Sequence, residues 1–191
     1  AGQSNLRQRL AEAGIAVEPG DPRLPRILDE VKERESRGYA YDTAQASFEL
    51  LARRALGLLP RWFEVERYRV ISERRRNARG QIVTVSEAVV TIQIGPRRIT
   101  SFHENVHGAA EGDQGPVHAL SRALAMDLGD LQSHIDDMRL TDFAVRIVGS
   151  GTEAVTRVVI DSEDGQGRQW TTVGVSANII DASFEALVDA I

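Results

Sequence analysis

The chain has 191 residues, which is enough for one domain with a substantial core and a small additional subdomain. Its formal net charge of −5 argues against a surface that binds nucleic acid, and its lack of cysteine excludes disulfides and thiolate metal sites. No apolar run is long enough to cross a bilayer and no signal peptide is recognisable, so we expect a cytoplasmic protein without a membrane partner.

Residues 1–60 carry apolar side chains at spacings of three and four, which is the pattern of amphipathic helices. We predict three short helices, the first capped by Ser4, the second beginning at Asp21 and Pro22, and the third opened by Thr43. Their apolar area is too small for a core of their own. We therefore expect this helical subdomain to pack on something else, for example a domain outside this sequence.

The period of the apolar side chains changes to two after Trp62. Alternation predicts three strands and then a helix, in the order 63–72, 82–94, 99–110 and from Pro116 onward. The alternation slips between Val65 and Tyr68, which predicts a β-bulge, and the Arg-rich residues 74–80 are predicted to form a solvated turn. The helix is predicted from one apolar stripe: Val117, Leu120, Leu124, Leu128 and Leu131.

The same order of elements is predicted a second time. Strands are expected at 140–148, 154–161 and 169–175, followed by a helix from Ile179. The chain therefore reads as one βββα unit written twice, over 61–137 and 138–191. The predicted fold class is α+β, a helical subdomain followed by a 61–191 domain of two antiparallel sheets, each covered by a helix.

Glycine-containing segments precede both predicted helices. Gly112 and Gly115 lie before Pro116, and Gly174 lies before the last helix. A glycine loop that feeds a helix N-terminus collects unpaired backbone N–H groups, which suit a carboxylate or a phosphate. Apolar residues lie near both segments, so a small aliphatic amino acid is the ligand that fits best. The alternative is that both segments are simply tight helix entries.

Residues 103–107 match the H-E-x-x-H pattern of zinc proteases. That chemistry needs both histidines on one face of a helix, whereas the repeat predicts a strand here. In a strand His103 and His107 would lie ~13 Å apart, too far to share one metal. No serine stands in a G-x-S-x-G setting, as Ser101, Ser121 and Ser183 illustrate. We therefore expect no metal site and no catalytic residue in this chain.

Five stretches carry a resemblance to a known family. Residues 112–120, 140–147 and 172–183 together resemble the C-terminal regulatory (dimerisation) domain of the 2-isopropylmalate synthase and citramalate synthase family. Residues 1–6 and 38–51 resemble the linker of the (R)-citramalate synthase branch. Residues 1–60 would then be a linker subdomain, and 61–191 would be the regulatory domain.

The resemblance implies a function divided between two places. The family condenses acetyl-CoA with a 2-oxo acid, pyruvate in citramalate synthases, on a metal-dependent TIM barrel. That barrel would precede Ala1, so the divalent metal and acetyl-CoA would bind outside this chain, which would hold no cofactor and be inactive alone. The regulatory domain would form a homodimer that binds the end-product amino acid, isoleucine, with leucine as the second candidate. The alternatives are a non-sensing dimerisation module of a 2-isopropylmalate synthase type and, more distantly, a zinc hydrolase.

The resemblance also assigns an effector pocket to this sequence. The family often has tyrosine where Phe143 stands, so one hydroxyl is lost. Leu140 has the opposite strand parity to Phe143, so we expect it to reach the pocket from a frayed strand end. Ordinary core packing is the alternative for each aliphatic member. The predicted pocket residues are Asp113, Gln114, Gly115, Val117, Leu140, Phe143, Ile147, Ala154, Thr156, Val175 and Ala177.

Overall fold

The computed structural model describes residues 2–108 and 115–191. The fold is α+β, as the sequence predicts, with two antiparallel three-stranded sheets that are each followed by a helix. The helices are α1 (Gln3–Glu12), α2 (Arg23–Ser36), α3 (Gln45–Ala55), α4 (Pro116–Leu124) and α5 (Ile179–Ala190), with 3-10 helices at Gly129–His134 and Gly151–Glu153. The strands are β1 (Glu64–Arg76), β2 (Ile82–Ile94), β3 (Arg97–Gly108), β4 (Arg139–Val148), β5 (Val155–Glu163) and β6 (Gln169–Ser176). Within the described ranges, no helix has the length and apolar character needed to cross a membrane.

The starts of the N-terminal helices differ from the prediction by one or two residues. The cap position of α1 is Gly2, so Ser4 lies inside the first turn and caps nothing. The Asp21 carboxylate accepts a hydrogen bond from Arg23 N at 2.9 Å, just where α2 begins. Thr43 lies one residue before the cap position of α3. Its hydroxyl donates a hydrogen bond to Ala40 O at 3.0 Å, within the turn before the helix.

The first sheet has the strand order β1-β2-β3. β2 begins and ends at the predicted residues, and a register shift between Val65 and Arg67 confirms the predicted bulge in β1. β1 continues to Arg76, so the predicted solvated turn at 74–80 shortens to the last four residues. There the Asn77 side chain accepts two backbone hydrogen bonds and closes the hairpin.

The helix that follows the first sheet is shorter than its apolar stripe predicts. α4 ends at Leu124, so Leu128 and Leu131 lie beyond it. Two backbone N–H groups bond to side chains at this point. Leu128 N donates to the Gln132 side chain at 2.9 Å, and Gly129 N donates to the Asp127 carboxylate at 2.9 Å. Local side-chain bonds of this kind compete with the helical pattern and start the 3-10 helix instead.

The second sheet has the strand order β4-β5-β6, and α5 packs on one of its faces across β5 and β6. The contact is closest at Gly174, where a Cβ atom would lie 1.9 Å from Ala182 O. On the same face, Thr172 Oγ1 donates a hydrogen bond to Ala186 O at 2.8 Å. The indole N–H of Trp170 donates one to Ala190 O at 2.9 Å. The helix therefore lies directly on the strand backbone.

Residues 2–60, which we call the helical segment, cover the opposite face of the second sheet. Val173 lies between two residues that face α5, so its side chain is on the opposite face of the strand. There it is buried in one core with Phe48 and Ala52 of α3. Around Gly38, the side chains of Val155 and Val175 come within 3.3 and 3.6 Å of the position that a Cβ would take. The packing partner expected for the helices is therefore this sheet of the same chain.

The chain forms two compact units, one made of residues 1–60 and 138–191 and the other of residues 61–137. The helical segment thus belongs with the second βββα repeat. The division into a 1–60 subdomain and a 61–191 domain stays a prediction.

Replacing Gly174 with alanine tests the close contact between β6 and α5. The new methyl group would overlap a backbone carbonyl, which cannot rotate away, so α5 must shift. We expect the free energy of unfolding to fall by about 1–3 kcal/mol in urea titrations. Gly108→Ala is the control, because no atom of residues 2–108 or 115–191 lies within 4 Å of its Cβ position. Equal midpoints for both variants would contradict the packing described here.

Candidate functional site

The structure separates the predicted pocket residues into groups. Leu140, Phe143 and Ile147 lie in β4, Thr156 in β5 and Val175 in β6, while Ala154 and Ala177 flank strands of the same sheet. Gly115 and Val117 belong to the other compact unit, at the start of α4. Asp113 and Gln114 lie outside the described residues. The predicted pocket as a whole stays a prediction.

Four of these residues share one face of the second sheet. Ile147 pairs with Thr156, and Phe143 pairs with Ile160. Leu140 pairs with Ser162 because the register shifts between Leu140 and Asp142. Since paired residues share a face, this bulge places Leu140 beside Phe143. The expectation that Leu140 has the opposite orientation is therefore wrong, and no frayed strand end is needed.

Val175 lies on the other face of the sheet. It pairs with Arg157, whose guanidinium donates to Gly38 O, and its side chain packs against the core of the helical segment. Its side chain is therefore turned away from Ile147 and Thr156.

The glycine prediction for the last helix also needs correction. Gly174 lies inside β6 and packs under α5, so it forms no open loop. The helix is instead capped by Asn178, whose side chain accepts a hydrogen bond from Ile180 N at 2.8 Å. Asparagine is among the strongest N-cap residues, so this signal was readable in the sequence.

An apolar strip follows the uncovered edge strand β4. We define it as Leu140, Phe143, Val145 and Ile147, which share one face through their partners in β5. Ile147 is 77% exposed, Val145 41% and Leu140 39%, although all three lie in regular strand. The strip lies on the same sheet face as α5. Because α5 packs over β5 and β6, the part of that face formed by β4 is open to solvent. Contiguous exposed apolar residues at a sheet edge mark an interaction surface.

The H-E-x-x-H segment lies in β3, as predicted, with His103 opposite Ala88 and His107 opposite Thr84. Burial, together with Arg122, lowers the pKa of His103 and favours its neutral form. Its ring contacts that of His118 edge-on, with the centroids 6.5 Å apart. Among the described residues, no group of three or more histidine, cysteine or carboxylate side chains is placed to hold a metal ion.

Sequence reasoning missed a hydrogen-bond network at the free edge of β6. A cavity of about 120 Å³ opens between α2, α3 and α5, and polar side chains from all three helices line it. We define the edge network as four of the side chains that line this cavity: Tyr39, Ser47, Glu185 and Asp189. Glu185 and Asp189 lie one turn apart on α5, and that spacing is the signal that could have revealed them.

Glu185 connects the strand edge to the helical segment. One carboxylate oxygen accepts a hydrogen bond from Val175 N at 3.1 Å, and the other accepts one from the Tyr39 hydroxyl at 2.6 Å. A guanidinium nitrogen of Arg34 lies 4.0 Å away.

Asp189 makes a parallel connection. It accepts a hydrogen bond from the Ser47 hydroxyl at 2.8 Å, and its other oxygen lies 3.3 Å from both terminal nitrogens of Arg54. The same Ser47 oxygen accepts a hydrogen bond from Val173 N at 3.0 Å. Ser47 is thus fully engaged, as donor to α5 and as acceptor from β6.

Burial governs the charge state of this network. It raises the pKa of Glu185 and of Asp189, and the hydrogen bonds from Tyr39 and Ser47 oppose that effect. Burial also raises the pKa of Tyr39, which stays a neutral donor. The network can therefore hold or release a proton at its carboxylates.

Comparison with known families decides what kind of chain carries these features. A family model described as the LeuA allosteric (dimerisation) domain matches residues 32–191. The chain belongs to the LeuA dimerisation domain family. Because the match begins inside α2, the LeuA domain of this chain includes α3 and both sides of the edge network.

Comparison with individual proteins shows which members of the family the chain resembles. The (R)-citramalate synthases of Aquifex aeolicus and Geobacter sulfurreducens are each 40% identical to this chain, over 195 and 193 residues, and cover all of it. A probable 2-isopropylmalate synthase of Archaeoglobus fulgidus is 25% identical over 191 residues. The chain spans 34% of the length of the two citramalate synthases, and it corresponds to their C-terminal part.

The raised pKa values predict a pH dependence of stability. A carboxyl group whose pKa is higher in the folded than in the unfolded chain stabilises the fold below its ordinary pKa, 4.5 for Glu185 and 3.8 for Asp189. That contribution is lost as pH rises through the raised values. The double variant Glu185→Gln and Asp189→Asn removes it. Relative to this variant, the wild type should lose stability in urea titrations as the pH rises above about 4.

Asp21→Asn provides a control of opposite sign. The hydrogen bond from Arg23 lowers the pKa of Asp21 to about 2, so its contribution is present at neutral pH and lost on acidification. A stability difference between wild type and the double variant that does not change with pH would contradict the assignment.

Proposed function

We propose that this chain is the effector-binding and dimerising region of an (R)-citramalate synthase, and that its effector is isoleucine. The observation that carries the proposal is the 40% identity to two (R)-citramalate synthases over the whole chain. Membership of the LeuA allosteric (dimerisation) domain family supports both halves of the role, ligand sensing and dimer formation.

The parent enzyme, under this proposal, condenses acetyl-CoA with pyruvate on a metal-dependent barrel outside this sequence. This region then supplies regulation and no catalytic residue. Alone it should be inactive, and the divalent metal should bind to the barrel.

The apolar strip on β4 is the surface that we assign to the second copy. The opposite edge of the sheet is closed, because Ser47 and Glu185 occupy the outward N–H groups of β6. The β4 edge has no such cover in the described chain, and Ile147 is the most exposed of its large apolar side chains. Burying such a strip against its own symmetry mate removes apolar surface from water in both copies.

The first sheet also has a face with exposed apolar residues. Exposed Ile71, Phe102 and Val106 share that face through their pairing with β2, and the contact between His103 and His118 shows that α4 lies on the other one. Each sheet thus has a helix on one face and exposed apolar residues for a partner. This arrangement supports a dimer that uses both repeats.

The same strip suits the aliphatic side chain of an effector. Leu140, Phe143 and Ile147 offer apolar walls, and Thr156 adds a hydroxyl beside Ile147. Phe143 cannot donate a hydrogen bond, so polar recognition of the amino acid must come from backbone groups and from other members of the predicted set. Under the proposal, isoleucine binds where the strip meets the second copy.

A second candidate is a dimerisation module that senses nothing, in an enzyme of the 2-isopropylmalate synthase type. The similarity to probable 2-isopropylmalate synthases of Archaeoglobus fulgidus and Methanosarcina mazei, at 25% and 30% identity, favours it. It predicts the same dimer but no response to any amino acid.

Ile147→Lys tests the dimer surface. A charge in the strip would be buried without a partner in the dimer, so we expect the dimer dissociation constant to rise at least tenfold by sedimentation velocity. Leu58→Lys is the matched control, since Leu58 is also exposed, at 54%, but lies after α3 and outside both sheets. If Ile147→Lys dimerises as tightly as the control, the strip is not the interface.

A panel of isoleucine, leucine and valine tests the effector. Isothermal titration calorimetry on the 191-residue chain should give the tightest binding for isoleucine, and Ile147→Ala should weaken it about tenfold through lost apolar contact. Dimerisation without heat from any of the three amino acids would favour the non-sensing module.

A further inference from the structure

Two outward amides of β6 are hydrogen-bonded to side chains from distant parts of the larger compact unit. β6 is an edge strand, and an edge amide needs an acceptor other than a neighbouring strand. Val173 N uses the Ser47 hydroxyl of α3, and Val175 N uses the Glu185 carboxylate of α5. The strand edge is therefore closed by side chains from two different elements.

Each of these acceptors is held by the other element. Ser47 of α3 donates to Asp189 of α5, and Glu185 of α5 accepts from Tyr39, which follows α2. One hydrogen-bonded path thus leads from β6 to the helical segment and then to α5, and the other leads from β6 to α5 and then to the helical segment. As a result, neither α5 nor the helical segment can move along β6 without breaking a buried hydrogen bond.

We propose that the edge network acts as a positional relay, which couples the geometry of the β6–α5 junction at residues 175–178 to the position of the helical segment. Ala177 is a predicted effector residue, so the regulatory use of the relay rests on the proposed function. In the parent enzyme the helical segment would lead toward the barrel. The relay would then carry the effector signal in that direction.

Buried charge makes the relay respond as a unit. Ser47 is 3% exposed, and the two carboxylates sit where burial penalises their charged forms. Losing one partner leaves a desolvated polar atom without a hydrogen bond, which costs more than the bond itself contributes. A shift at Val175 is therefore transmitted to Tyr39 instead of being absorbed by a loose contact.

Other charged groups face the network and balance it. Arg54 of α3 contacts Asp189, and Arg34 of α2 lies between Glu30 and Glu185. Glu30 forms its hydrogen bond and ion pair with Arg34 of the same helix. Glu30→Gln is therefore a matched control, since it removes a carboxylate beside the same cavity but outside the relay.

Residue-resolved amide hydrogen exchange on the 191-residue chain tests the relay without any ligand. Tyr39→Phe removes no atom that touches Val175 N, yet the relay predicts about tenfold faster exchange at that amide. Asn178→Ala loosens the start of α5, and it should speed exchange over residues 39–55 in the wild-type background. In a Tyr39→Phe and Ser47→Ala background the same change should have no such effect. Glu30→Gln should leave both responses as in the wild type.

Unchanged exchange at Val175 in Tyr39→Phe would overturn the relay, as would an Asn178→Ala effect on residues 39–55 that survives in the double-variant background. Calorimetry with isoleucine separates this outcome from failure of the proposed function. If isoleucine binds, the relay predicts slower exchange over residues 39–55 on binding, and binding without that change counts against it. If no amino acid binds, the effector proposal fails, and the ligand-free experiment alone decides the relay.

Discussion

The larger compact unit depends on how β6 is enclosed. α5 lies so close to one face of the strand that Gly174 has no room for a side chain, and the helical segment covers the other face through Val173. The free edge is closed by hydrogen bonds to Ser47 and Glu185. The helical segment and α5 thus meet on one strand, and a change in either must be accommodated by the other. This constraint explains why the helical segment groups with the second repeat.

The enclosure of β6 also determines where the sheet is open. A strand that is covered on both faces and at its edge has nothing left to offer a partner, whereas β4 has a free edge and an exposed apolar strip. The two ends of one small sheet therefore have different roles, internal attachment at β6 and association at β4. Among the described residues of its unit, the first sheet has no second covering segment, and large apolar side chains on one of its faces are exposed.

Much of this fold could be predicted from periodicity. β2 was placed to the residue because its alternation is unbroken, and the slip between Val65 and Tyr68 correctly indicated a bulge. The end of α4 was missed because leucines continue at helical spacing beyond it, while the polar side chains that end the helix carry no period. The bulge after Leu140 was missed for a related reason, since Thr141 and Asp142 do not interrupt an apolar pattern that has only just begun.

The edge network was out of reach of sequence reasoning for a different reason. Tyr39 and Glu185 are 146 residues apart and Ser47 and Asp189 are 142 apart, so no local pattern connects them. The pocket residues came from the resemblance to the family, and strand parity could not show that Val175 lies on the opposite face of the sheet from Ile147 and Thr156. That difference depends on the register in which β5 pairs with β6, which is a property of the assembled sheet and not of any one strand.

The central claim is that one surface serves both the second copy and the amino acid. If isoleucine contacts both copies at the dimer interface, it binds the dimer more tightly than the monomer, and thermodynamic linkage then requires that it tighten dimerisation. The most direct measurement is the dimer dissociation constant, obtained by sedimentation equilibrium with and without saturating isoleucine. The account predicts a constant at least about fivefold lower with isoleucine and unchanged with an equal concentration of glycine. A dissociation constant that isoleucine leaves unchanged would contradict the account.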